Sequence, residues 1–129
     1  MHFNSLIPEL TVSDIEKTKA FYMNVLGFDI AYERKEDDFV FLVLEENQLM
    51  FQQDNGSWNT GVLEHPYGRG INFEMTVSDV EKLYRRVLAS GIKPFRELKE
   101  NHYRSNDEII IQKEFLLQDP DGYLLRFTD

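Results

Sequence analysis

The chain has 129 residues, the length of one ordinary domain, and with 42% hydrophobic and 13% aromatic residues it can bury a core. Its 14 basic and 23 acidic residues give a formal net charge of −9, which argues against a phosphate-binding nucleic-acid face. The absence of cysteine excludes disulfides, thiolate metal sites and cysteine nucleophiles.

The opening residues, Met1 to Ser5, lack a basic region followed by an apolar run, and no apolar stretch is long enough to span a bilayer. The expectation is a soluble cytoplasmic protein without membrane or nucleic-acid partners. Leu6 to Val12 reads as a strand with Pro8 near its start, hence an edge strand or one whose early part pairs on one side only, since proline cannot donate to a ladder. Ser13-Asp14 offers a helix cap, Ile15, Thr18, Phe21, Tyr22, Val25 and Leu26 recur at helical spacing, and Gly27 closes the helix. Phe28 to Tyr32 is a short strand, Glu33 to Asp38 a charged turn, Phe39 to Leu44 a strand, Glu45 to Asn47 a hairpin turn, and Gln48 to Gln53 the returning strand. A stretch rich in Asn, Gly and Ser, with Trp58, follows as a linker.

The order then repeats: strand Ile71 to Val77, capped helix from Ser78-Asp79 to Gly91, strand Ile92 to Glu97, polar loop Lys99 to Asp107, strand Glu108 to Gln118, turn Asp119-Pro120-Asp121-Gly122, and strand Tyr123 to Thr128. Thr11 to Lys17 and Thr76 to Lys82 match in all but one residue, Ile15 against Val80. The expected architecture is α+β, two βαβββ modules in one domain: module one 1–54, linker 55–70, module two 71–129. The helices should cover the outside, leaving the sheets to curve around a cavity.

Val12-Ser13-Asp14, Phe21-Tyr22 with Leu26-Gly27-Phe28, and Phe115 to Phe127 around Asp119-Pro120-Asp121-Gly122 resemble the vicinal oxygen chelate superfamily, the glyoxalase and bleomycin-resistance fold. Within it, Leu6 to Thr11, Glu36-Asp37-Asp38-Phe39 and Lys113 to Pro120 are most similar to bleomycin-resistance proteins. The resemblance implies a homodimer that sequesters a cationic glycopeptide in interface crevices without catalysis. Exposed sheet edges also favour a dimer, and the N-terminal strand is the candidate for exchange.

The superfamily's divalent-ion ligands would fall at Ile7, Met50, Asn72 and Arg126. An alkyl group, a thioether, a lone amide and a guanidinium make a poor donor set for a hard ion. His2, His65 and His102 lie at the terminus or in expected loops without helical-spacing partners. The expectation is therefore no metal, no cofactor and no catalytic residue.

Alternation puts Pro8, Leu10 and Val12 under a helix and Ile7, Glu9 and Thr11 toward the cavity. It does the same for Phe73, Met75 and Val77 against Asn72, Glu74 and Thr76, and adds Met50, Gln52, Leu124 and Arg126 to the cavity side. Glu9 and Glu74, related by the repeat, are open to three readings: an ion pair with Arg126, contact with a basic ligand, or general-base chemistry at Glu74. Phe39, Phe41 and Trp58 are candidate stacking surfaces, with core packing or loop anchoring as the other readings. Two crevice tryptophans of the bleomycin binders fall at Glu74 and Ile111, which puts bleomycin itself in question but keeps a crevice. The expected ligand set is Glu9, Phe39, Phe41, Met50, Gln52, Trp58, Asn72, Glu74, Ile111 and Arg126. Three functions stand: a metal-free small-molecule binder, a superfamily enzyme (lyase, isomerase or dioxygenase) with a non-standard metal site, and a protein–protein contact module.

Overall fold

The computed structural model describes residues 2–129. The chain divides into two compact units, Met1–Tyr67 and Gly68–Asp129, each a βαβββ module. In the first, β1 (Glu9–Val12), α1 (Ile15–Ala20), β2 (Asp29–Arg34), β3 (Phe39–Leu44) and β4 (Asn47–Gln53) form a sheet of order β1-β4-β3-β2, with β1 parallel to β4. In the second, β5 (Asn72–Thr76), α2 (Val80–Ala89), β6 (Arg96–Ser105), β7 (Glu108–Gln118) and β8 (Leu124–Thr128) repeat that order as β5-β8-β7-β6. Among the described residues, no helix is long and apolar enough to cross a membrane.

The repeated Ser-Asp does the same work twice. Asp14 accepts from the amides of Glu16 and Lys17, at 3.0 and 3.3 Å, and Asp79 from that of Lys82 at 3.0 Å. Each cap satisfies amides that a first helical turn leaves without partners. Past Ala20 the first helix widens into a π-helical turn, Phe21–Val25, which the 3.6-residue spacing does not anticipate. That turn places Tyr22 fully in the core, its ring 4.5 Å from Phe51 and 5.3 Å from Phe28.

One side of each sheet carries the core. Leu10, Val12, Val40, Leu42, Leu49 and Phe51 form it in the first unit, and Met75, Phe115, Leu117, Leu125 and Phe127 in the second. The Asp119-Pro120-Asp121-Gly122 turn is held from within, since Asp119 Oδ1 accepts from the amides of both Asp121 and Tyr123 at 3.0 Å.

Several expected boundaries move. Strand one begins at Glu9 rather than Leu6, although the Pro8 carbonyl still accepts from the Met50 amide at 2.9 Å. Glu33 and Arg34 belong to β2, and the charged turn shrinks to a 3-10 turn, Lys35–Asp37, and Asp38. The expected strand Ile92 to Glu97 and polar loop Lys99 to Asp107 are replaced by the single strand β6, so His102 lies in a strand and not in a loop. The stretch is polar, but Arg96 to Ser105 has neither glycine nor proline to break it, and the isoleucines of β7 provide a strong pairing partner.

Candidate functional site

The face of each sheet opposite its helix gathers the candidate side chains. In the first unit, the register sets Glu9 beside Met50, Met50 beside Phe41, and Phe41 beside Tyr32. The next row on the same face runs Thr11, Gln52, Phe39 and Arg34. Six of the ten expected ligand residues (Glu9, Phe39, Phe41, Met50, Gln52 and Trp58) are thus brought onto or beside one face. Trp58 reaches it from the loop after β4: its indole N–H donates to Gln52 Oε1 at 3.0 Å, while its ring remains 64% exposed.

This face is aromatic. Tyr32 stacks on Phe41 at 5.2 Å and lies 5.9 Å from Phe39, and Phe3 meets Phe41 edge-on at 5.6 Å. The Arg34 guanidinium sits 4.1 Å over the Phe39 ring and pairs with Asp37 at 3.1 Å. Phe39 and Phe41 are therefore buried by their own neighbours, and Tyr32, 38% exposed, is the accessible ring of the two rows. Glu9 stands at the end of the row, where burial pushes its carboxyl pKa up and the charge of Arg34 only partly opposes the shift. The N-terminal segment folds back on its own sheet: the Asn4 amide donates to Gln48 Oε1, and Gln48 Nε2 to the His2 carbonyl.

In the second unit the corresponding face is polar. Its rows pair Asn72 with Leu124, Glu74 with Arg126 and Leu116, and Thr76 with Thr128 and Glu114. Glu114, 4% exposed, is the hub. One carboxylate oxygen accepts from Arg126 Nη2 at 2.9 Å, and the other from Asn101 Nδ2 and the Tyr103 hydroxyl, both at 3.0 Å. Arg126 Nη1 also donates to Asn72 Oδ1 at 3.2 Å and lies 3.9 Å from Glu74. The bond to Glu114 is the main reason that the Arg126 pKa is raised. Burial and the Glu114 bond raise that of Tyr103.

Of the three readings open for Glu9 and Glu74, the ion pair with Arg126 forms at Glu74, at 3.9 Å, as the looser of two contacts. The close partner of Arg126 is Glu114, and Glu74 is the outer carboxylate, its side chain 44% exposed. Ile111 does not join the group. It alternates to the same side of β7 as Lys113, which bonds Glu81 of α2, and it is 58% exposed. The expectation also missed Phe3, Tyr32, Arg34, Asn101, Tyr103 and Glu114. Tyr32 and Glu114 were within reach of alternation, because Tyr32 opposes Phe41 and Glu114 lies two residues from the partner of Arg126.

Of the four positions at which the resemblance puts metal ligands, Ile7 lies before β1, Met50 is in the aromatic row, and Asn72 and Arg126 are bonded to each other. These residues do not fit a divalent ion: the guanidinium spans the two second-unit positions with its own positive charge. Among the described residues, no three His, Asp or Glu side chains come together in a way that could hold a metal.

The sequence model described as the Glyoxalase/Bleomycin resistance protein/Dioxygenase superfamily matches residues 2–127. The chain is 27% identical over 131 residues to a protein named Bleomycin resistance protein from Geobacillus stearothermophilus, covering 94% of this chain and 92% of that one. Proteins of that name from Staphylococcus aureus match equally. Among solved structures, TioX from Micromonospora sp. ML1 superposes with a TM-score of 0.75 at 18% identity, over 98% of both chains. A glyoxalase/bleomycin resistance protein/dioxygenase from Alicyclobacillus acidocaldarius gives 0.69 at 23% identity, over 97% of this chain and 89% of that one. At these identities the structures attest the fold.

Proposed function

Because the chain belongs to the glyoxalase/bleomycin resistance protein/dioxygenase superfamily, we propose that it is a metal-free binding protein of the bleomycin-resistance type, which sequesters a drug-like cationic molecule without transforming it. The observation that carries this reading is Arg126, whose guanidinium ties Asn72 to Glu114 where a Lewis-acid enzyme of this fold would need an ion. The aromatic rows of the first unit suit the planar part of a ligand: Tyr32 and Trp58 are accessible, and Met50 is an adaptable neighbour. On the same face Glu9 supplies a carboxylate for its cationic groups, and Gln52 supplies an amide. The net charge of −9 favours the approach of a cation. In this reading the protein acts in the cytoplasm as a homodimer, as the resemblance implies.

The test uses Trp58, the single tryptophan, as its reporter. Titration with bleomycin and with other cationic aromatic antibiotics is expected to change its emission saturably and to raise the melting temperature. Zn²⁺, Ni²⁺ and Mn²⁺ alone are expected to leave the melting temperature unchanged. Silence toward every such compound, or clear stabilisation by a divalent ion alone, overturns the proposal.

A further inference from the structure

The second row of the first-unit face ends on a cation. Arg34 closes β2, the last strand of its sheet, and the register sets it directly opposite Phe39. The turn between them, Lys35–Asp37 with Asp38 in the left-handed region at φ 49°, brings Asp37 back to the guanidinium, whose Nε donates to Oδ2 at 3.1 Å. The guanidinium lies 4.1 Å over the Phe39 ring and 6.0 Å from the centre of the Tyr32 ring. It takes the place over Phe39 where another cation would stack, and that ring is only 3% exposed beneath it. The Arg34 side chain itself is 46% exposed. What the second row offers outward is therefore a flat positive group beside the accessible Tyr32, in place of a bare aromatic ring.

We propose that Arg34 sets the specificity of this face, admitting uncharged aromatic planes and refusing those that carry a positive charge within the ring system. An arginine keeps its charge at any working pH, and its planar head stacks on π faces. A neutral plane laid over Tyr32 and Arg34 gains a cation–π contact, whereas a quaternised plane meets a like charge at stacking distance. Asp37 bonds the guanidinium at its Nε edge, so the flat face stays open to a stacking partner. The cation of a ligand then has to stand off the plane, on a side chain, where it can turn away from Arg34 toward a carboxylate such as Glu9. The inference rests on the reading of this face as a ligand surface and narrows it. Of two aromatic ligands equal in charge, the one charged in its ring is refused.

The test titrates the full chain with acridine and with N-methylacridinium in mildly alkaline buffer, where acridine is uncharged, so that the two probes share one plane and differ in its charge. Emission of Trp58, whose indole bonds Gln52 in the same row, reads both affinities. The wild type is expected to bind acridine about tenfold more tightly than N-methylacridinium. Arg34→Gln is expected to bring the two within about threefold, with unchanged circular dichroism. Arg85→Gln, which removes an exposed positive charge from α2, is expected to keep the wild-type ratio. Binding of neither probe overturns the ligand surface and this inference with it. Binding of both at a ratio that Arg34→Gln leaves unchanged overturns the role of Arg34 alone. A wild type that prefers N-methylacridinium, or an Arg85→Gln shift as large as that of Arg34→Gln, also overturns it.

Discussion

Replacing Glu114 by glutamine is the sharpest test of the polar face, because it removes one oxygen's accepting capacity and almost no volume. The carboxylate accepts on both sides: from Arg126 through one oxygen, and from Asn101 and Tyr103 through the other. An amide accepts through its oxygen only, so if that oxygen keeps Arg126, its NH₂ faces Asn101 and Tyr103, which must turn to accept. A bond to a carboxylate contributes about 1.5–3 kcal/mol, and less where a neutral donor can exchange it for water. Glu114 is 4% exposed, but Tyr103 at 38% can recover water, so the side of the two neutral donors sits at the low end. Glu114→Gln is then expected to cost about 2 kcal/mol and Glu114→Ala about 3 kcal/mol. Urea unfolding followed by circular dichroism measures the loss, and Trp58 emission reports separately on the first unit. A double-mutant cycle with Arg126→Met should return a coupling of about 1.5–3 kcal/mol. A Glu114→Gln protein within about 0.5 kcal/mol of the wild type would show that the hub does not hold Arg126 in place.

Glu9 has a raised folded pKa through burial, so its contribution to stability is fully present below its unfolded value and lost as pH rises through the folded one. Glu9→Gln is therefore expected to raise the denaturation midpoint at pH 7, with the gain fading toward pH 4, while weakening any bound cation. Glu33 has the opposite sign, its pKa lowered chiefly by the Lys19 bond of 2.8 Å, so its contribution exists above the unfolded value and vanishes as pH falls through the folded one. Lys19→Met should destabilise at pH 7 and converge with the wild type in acid titrations monitored by circular dichroism. Gly68→Ala would place a Cβ 2.6 Å from Tyr123 Cδ1 at φ +70°, and thermal melts should show a loss of about 1–3 kcal/mol.

The duplication was legible because Ser-Asp caps and closing glycines act locally, and strand alternation then sorted Leu10 and Val12 from Glu9 without knowledge of the fold. What alternation cannot supply is the register between strands that are distant in sequence. Glu114 was visible as a residue, but its role depends on Thr128 and not Arg126 lying directly opposite it, and on β6 running far enough to bring Asn101 and Tyr103 alongside. A polar composition suggested a loop for Lys99 to Asp107, and cross-strand pairing with three isoleucines overrode it. Phe39 and Phe41 read equally well as core or as stacking surface, and they proved to be buried on the face away from the helix, covered by Tyr32, Phe3 and Arg34.

The positive charge of Arg126 is borne on a covalent side chain, so no chelating molecule can strip it away, no dilution removes it and no competing ion displaces it. A face organised around it is indifferent to metal supply and loses none of its own structure to a molecule rich in chelating groups. The same permanence removes a means of adjustment, because an arginine cannot be exchanged for a harder or softer ion and accepts no fifth ligand. Any retuning of this face must come through the side chains that grip the guanidinium.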